Sequence, residues 1–401
     1  MLRLRDTQCP HTASFLAGAI RTAEFYGFVS IDSLPHARLE APKRRDGDIA
    51  FVRRDERALL TAAKNCMACT RGANDILLLW RLNKLIGREQ SSIPTYAIEL
   101  HVIGASHAFA EALLIIVAHA IAVDAGVTDR VVSINSIGSM ESSNRFVRDV
   151  STFLRKHIDT IAPSLRPRAA TDPLGTLVQL FERGHPATSR APQSMEYLTE
   201  EERRRFWDLL EYLEVFGIPY ELSHGVLGSR DLWSHTLYEL ALTDKETGTR
   251  IPFAFGGRYD PLATRITNID TSAATISIMC EIRGKWQIKQ ENRPAPVLYF
   301  AHLGLEARRR AFSVLETLRR AGIPVRQSLM HEKLGDQMEH AKKTHISHLL
   351  LMGHKEAVEG TVLVREIATN AQEAVSVSQL PGYLRRQQMK VSIEPARVSR
   401  L

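Results

Sequence analysis

Apolar positions recur with two different periods along the chain, and the changes of period outline its elements. Phe15, Ala19, Ala23 and Tyr26 fall on one helical stripe, which predicts a helix entered at Thr12 and stopped by Gly27. "FVSIDSLP" then reads as extended, with Pro35 at an edge, a bulge or an interface because it has no N–H for a ladder. "IAFVRRDERALLTAAKNCMACTRG" reads as a short strand turning into a helix. "ILLLWRL" and "YAIELHVIG" predict two strands joined by a polar loop from Arg88 to Pro94. A long apolar helix from about His107 to Asp124 and a strand at "DRVVSINSIGS" follow.

Between Ser139 and about Phe216 the pattern is mostly helical. Its clearest element is "YLTEEERRRFWDLLEYLEVFGIPY", where Thr199 and Glu202 have capping-box spacing, Phe206, Leu209, Leu210 and Leu213 form the apolar face, and Gly217 supplies the stop. "WSHTLYELALTDKETGTRIPFAFGGRYD" reads as a hairpin, and "TSAATISIMCEIRG" as a strand or a strand-to-helix passage. Beyond a proline-bearing linker at Asn292–Pro296, strands and helices alternate for about a hundred residues, the order of a small α/β domain. No period of 20 to 50 residues recurs, which argues against repeat architectures.

A chain of 401 residues is long for one core and implies two or three domains. With 44% hydrophobic and 24% charged residues it reads as an ordinary soluble protein. The net charge of +7 is compatible with a polyanionic partner such as RNA without demanding one. Cys66 and Cys69 have metal-pair spacing but no second close pair accompanies them, so they read as buried helix residues and no metal site is expected. "FAEALLIIVAHAIAVDAG" carries Glu111, His119 and Asp124 and reads as a buried helix rather than a membrane span. No export signal is visible at the start, and the expected compartment is the cytoplasm.

The pentapeptide Gly256-Gly257-Arg258-Tyr259-Asp260 stands out. It reads as a turn that lets a ligand approach while three polar groups point at it, or as a tight hairpin end whose glycines supply φ > 0 and whose Arg258 and Asp260 form a structural ion pair.

Taken in order, "INSIGS", "YLTEEERRRFWDLLEYLEVFGIPYE", "HTLYE", "GGRYD" and the C-terminal domain with "LRRAGIPV" resemble the class II histidyl-tRNA synthetase family over nearly the whole chain. The resemblance implies an α+β fold: an antiparallel catalytic-type sheet with flanking helices over residues 1–292, a helical insertion at about 139–216, and an anticodon-binding-like α/β domain over 293–401. It also implies a homodimer, formed through a motif 1-like helix and strand in the 12–35 region.

Adenylate formation sets negative charge on phosphate oxygens, which arginine forks stabilise. Against the family pattern, the arginine of the "RGLDYY" signature falls here on Gly228 and its tyrosines on Leu232 and Trp233, with Asp231 retained and Arg230 two positions late. Two residues move a guanidinium by about 6 to 7 Å on a strand. The motif 3 arginine falls on Ile282, with Arg283 one position late, and the small-residue "GFALG" surface has become Thr275, Ile276, Ser277, Ile278 and Met279. The motif 2 pair falls on Asn83, Lys84 and Leu85, or with a gap on Arg88-Glu89.

In the histidine pocket, the acidic residue of "LRPEGT" corresponds to Asp55, and Tyr259 matches a substrate-facing ring. The glutamine and acid of "FHQIGVEV" fall on Ala97 and His101, and a charged His101 would repel the cationic groups of a bound histidine. In the C-terminal domain Lys333 and Gln337 match the family's RNA-reading loop, while Glu332, Gly335, Asp336 and Glu339 stand where basic residues are usual. Each phosphate contact removed weakens RNA binding.

The resulting expectation is a synthetase-like paralogue without standard aminoacylation, acting as a binding or regulatory protein toward tRNA or a partner protein, with no required cofactor. The alternative is a divergent histidine–tRNA ligase, or a ligase for another carboxylic acid, using ATP with Mg and the shifted Arg88, Arg230 and Arg283. The substrate contacts would then be Asp55, His101, Arg258 and Tyr259.

Overall fold

The computed structural model describes residues 2–3, 12–33, 76–85, 95–244, 248–281, 296–344 and 346–386. The chain divides into two units: Met1–Thr12 with Val29–Lys285, and Ala13–Phe28 with Trp286–Leu401.

The first unit is built on one sheet. Among the described residues its path runs β2 (Val29–Ser30), β3 (Leu77–Leu85), β4 (Thr95–Ile103), β9 (Ala273–Glu281), β8 (Arg250–Arg258), β7 (Ser234–Thr243), β5 (Arg130–Gly138) and β6 (Tyr220–Leu222). A short β1 (Leu2–Arg3) also pairs with β9. The six central strands are antiparallel neighbours; β2 and β6 add in parallel at the two ends.

Side chains directly opposite on antiparallel strands share a face. One face carries Ile98, Leu100, Ile276, Ile278 and Ala254 and is covered by the helix Phe109–Asp124, in which every residue from Phe109 to Ala122 is buried. A helix apolar on all sides must be enclosed, which accounts for the continuous hydrophobic run in the sequence. The other face carries Arg81, Asn83, Glu99, His101, Ser277 and Phe255, and part of it packs against the insertion through Ile137, Phe146, Leu154 and Leu177.

The insertion begins with the helix Met140–Lys156 and closes with the helix Glu200–Phe216. The expected capping box is present, with Gly217 at φ 77° ending the helix. Glu202 does more than cap: it also accepts from the Ser139 N–H at 2.6 Å and the Ser142 hydroxyl at 2.7 Å, fastening the start of one insertion helix to the start of the other. Those hydrogen bonds overcome the upward pull of burial and hold its carboxyl down at about 2.

The second unit has a five-stranded sheet of order β11 (Arg326–Gln327), β10 (Leu298–His302), β12 (His348–Met352), β13 (Thr361–Glu366) and β14 (Gln372–Ser376). Its first three strands are parallel neighbours and the last two add in antiparallel fashion.

The N-terminal helix Thr12–Phe25 clusters with this second unit. The physical reason is a buried polar node. Tyr26, fully buried, donates to Glu316 Oε2 at 3.0 Å, Glu316 accepts from Arg319 and Arg320 at 2.7 Å each, Arg319 reaches Thr22, and Gln327 donates to the Tyr26 carbonyl at 2.8 Å. The stripe of Phe15, Ala19, Ala23 and Tyr26 is buried within the chain. Pro35 lies outside the described residues.

Candidate functional site

The polar groups of the insertion-side face converge on β3 and β4. Their register sets Leu79 opposite His101, Arg81 opposite Glu99 and Asn83 opposite Ala97, and β9 sets Thr275, Ser277 and Met279 beside His101, Glu99 and Ala97. His101 is fully buried, and its Nδ1 lies 3.0 Å from the hydroxyl of Tyr259, also fully buried. Burial and the nearby Arg81 press the imidazole down to about 3, so it stays neutral at ordinary pH. The expected repulsion of a cationic ligand by a charged His101 is therefore corrected: His101 occupies space without carrying charge.

Glu99 is 2% exposed, and burial pushes its carboxyl up to about 7 against the opposing pull of Asn83 and Arg81. Among the described residues its Oε1 receives a long 3.4 Å bond from Asn83. Arg81 Nη1, Glu99 Oε2 and His101 Nε2 are buried with no hydrogen-bond partner among the described residues. Sequence reasoning passed over Arg81 and Glu99. The signal that finds them is the two-residue period of β3 and β4, which places Arg81 beside Asn83, and Glu99 between Ala97 and His101, on one face.

Gly256 and Gly257 lie inside β8 rather than in a turn, and neither has positive φ, which corrects both turn readings. Their requirement is closeness: a Cβ on Gly256 would sit 2.2 Å from the Thr275 carbonyl oxygen, and one on Gly257 would sit 2.6 Å from that of Thr236. Trp233 closes the same region. Its indole passes 2.4 Å from where a Cβ of Gly228 would lie and packs edge-on against Phe255 at 5.5 Å between centroids. The side-chain space of the signature arginine position is thus filled by an indole.

Arg258 is 1% exposed and turns to the helix-covered face, where it donates through Nη2 and Nε to Glu111 at 2.7 and 3.0 Å and through Nη1 to the Ala105 carbonyl at 3.0 Å. The expected pair with Asp260 is present at 3.3 Å. Asp260 also accepts from the Ala273 N–H at 2.7 Å, and Arg205 gives Glu111 a second cation at 2.6 Å. Arg258 is thus engaged in ion pairs with both Glu111 and Asp260.

Arg230 donates to Asn144 of the insertion. Asp55, Arg88 and Arg283 lie outside the described residues. In the second unit Gln337 is fully buried and bonds the His302 N–H and carbonyl and the His331 carbonyl at 2.9 to 3.0 Å; Lys333 is exposed. No group of three or more metal-ligating side chains occurs among the described residues, and no described helix is long and apolar enough to cross a membrane.

Residues 299–387 match the anticodon binding domain family. That domain, following a large antiparallel sheet with a helical insertion, defines a class II aminoacyl-tRNA synthetase fold. Among similar proteins, histidine–tRNA ligase 1 of Shouchella clausii is 29% identical over 259 residues, 63% of this chain and 61% of that protein. The histidine–tRNA ligase of Symbiobacterium thermophilum is 26% identical over 298 residues, 73% of this chain and 68% of that one. The first alignment thus spans less than two thirds of the relative's length. Over these stretches the chain is similar to class II histidine–tRNA ligases. The solved apo histidyl-tRNA synthetase of S. aureus aligns over 92% of this chain and 94% of its own, at 17% identity and a TM-score of 0.49.

Proposed function

We propose that this chain is a binding or regulatory member of its family that does not form an aminoacyl-adenylate. The observation that carries the reading is the occupation of the ligand face by the protein's own side chains: Trp233 over Gly228 and Gly257, and His101 against Tyr259, all buried. Electrostatics point the same way. Arg258 is engaged by Glu111 and Arg230 by Asn144, while the motif 2 pair falls on Asn83, Lys84 and Leu85 or, with a gap, on Arg88-Glu89, which lies outside the described residues. Losing one transition-state cation costs about 3 kcal/mol and losing two costs several orders of magnitude in rate.

The anticodon-binding domain keeps an RNA or a protein partner within this reading, and homodimerisation in the cytoplasm belongs to it as well. The test is ATP–pyrophosphate exchange with the purified full chain. Exchange at the level of the blank, with and without histidine, is the expected result; histidine-dependent exchange that grows with enzyme concentration restores a ligase, for which ATP and Mg are the cofactors.

A further inference from the structure

A buried polar atom without a partner is costly, so three on one patch of sheet call for an explanation. Arg81 and Glu99 stand directly opposite on β3 and β4, where paired Cβ atoms lie about 4.5 to 5.5 Å apart, yet no hydrogen bond or ion pair joins them. The two orphaned atoms are chemically complementary: Arg81 Nη1 is a donor and Glu99 Oε2 an acceptor. His101 Nε2, one step along the same face of β4, is the third. In the family's "FHQIGVEV" pattern, Ala97 and His101 take the places of the glutamine and the acid, so Glu99 takes that of the glycine. The carboxyl therefore stands where the pattern leaves bare backbone.

We propose that Arg81, Glu99 and His101 line a small-ligand site that recognises a neutral primary carboxamide edge, the carbonyl oxygen accepting from Arg81 and the NH2 group donating to Glu99. This rests on the reading of the chain as a non-catalytic binding protein. The charges favour a neutral, dipolar ligand. A carboxylate placed on Arg81 meets Glu99, an ammonium placed on Glu99 meets Arg81, and an amide satisfies both without adding charge to a buried patch. Asn83, Ser277 and Met279 around this patch are half-buried rather than sealed, which gives the face an opening on that side. The space deeper in, beside His101, holds Trp233, Phe255 and Tyr259, so the ligand is small.

The test is titration calorimetry on the full-length protein at about pH 8, above the range in which the Glu99 carboxyl ionises, with nicotinamide and with L-glutamine, each against its acid counterpart, nicotinate and L-glutamate. At least one amide binds, and its acid binds at least about ten-fold more weakly, the discrimination expected when a buried polar pair is left unmatched. Glu99→Leu and Arg81→Leu each weaken the amide by about ten-fold or more, while Glu99→Gln, which keeps an acceptor oxygen, stays within about three-fold. Absence of amide binding at millimolar concentration, equal binding of amide and acid, or unaltered binding by folded Glu99→Leu protein overturns the proposal and leaves a bridging water as the sole occupant. Pyrophosphate exchange on the same preparations separates the two readings: histidine-dependent exchange refutes the non-catalytic reading whatever the amides do, and failure of the amides leaves that reading standing.

Discussion

Arg258 and Glu111, 147 positions apart in the chain, form a two-pronged ion pair at 2.7 and 3.0 Å in which both side chains are essentially sealed from water. The pair fastens the end of β8 to the helix that covers the sheet. It also decides what the "GGRYD" stretch is for: the arginine holds the scaffold, the tyrosine faces the occupied pocket, and the aspartate ties β8 to the start of β9.

Breaking that pair strands a buried guanidinium. Glu111→Leu is expected to cost about 3 to 5 kcal/mol in urea denaturation at pH 7. Burial alone raises the Glu111 pKa, but Arg205 and Arg258 overcome it and hold the carboxyl well below the ordinary range. A depressed folded-state pKa contributes stability that is complete above the unfolded value of about 4.3 and is lost as pH falls toward the folded one. The gap between wild type and Glu111→Leu should therefore narrow below pH 4; a gap independent of pH contradicts the assignment.

Glu99 predicts the opposite slope. Its folded value of about 7 lies above the unfolded one, so the protonated acid is the favoured native form and ionisation destabilises the fold as pH rises between the two values. The shift corresponds to about 3 kcal/mol at most. Glu99→Gln should match wild type near pH 4 and exceed it in stability by about 1 to 3 kcal/mol at pH 8, measured as chemical denaturation midpoints. Equal midpoints at both pH values remove Glu99 from the buried patch.

Two glycines separate packing from conformational freedom. Gly256→Ala drives a Cβ into the Thr275 backbone carbonyl and should cost about 3 kcal/mol or more, or prevent soluble expression. Gly335→Ala, at the start of the helix Leu334–Lys342 with nothing within 4 Å, should stabilise by about 0.4 to 1 kcal/mol. Thermal melts of the two variants side by side decide the matter.

The RNA question divides between Lys333 and Gln337, four positions apart. Gln337→Leu removes hydrogen bonds to three buried backbone groups and should destabilise by about 2 to 4 kcal/mol without RNA present. Lys333→Ala should leave stability within about 0.5 kcal/mol of wild type. If Lys333 contacts a phosphate, it lowers the slope of log affinity against log salt by about one in filter binding with tRNA. An unchanged slope takes Lys333 out of the RNA interface.

Much of the fold was legible because the periods were clean. The strands at "ILLLWRL" and "YAIELHVIG", the apolar helix after His107 and the Thr199–Glu202 cap all lie where the pattern sets them. What the pattern could not convey was direction across the sheet. Arg258 and Tyr259 are adjacent in sequence, yet one turns to the covering helix and the other to the insertion side, so they could not both serve one pocket. Motif comparison also draws the eye to positions where a residue is missing, and Glu99, an acid gained at the pattern's glycine, escaped it. The tie of the N-terminal helix to the C-terminal unit depends on Tyr26 meeting Glu316, a contact 290 residues apart that no local pattern encodes.

That last tie bears on how the protein can be dissected. The anticodon-binding-type unit is assembled from the chain's opening helix and its final hundred-odd residues, with the synthetase-like sheet threaded between them. A fragment beginning near residue 296 would inherit Glu316 without Tyr26, and the complementary fragment would carry a greasy helix stripped of its shelter. Excision of either end therefore parts Tyr26 from Glu316.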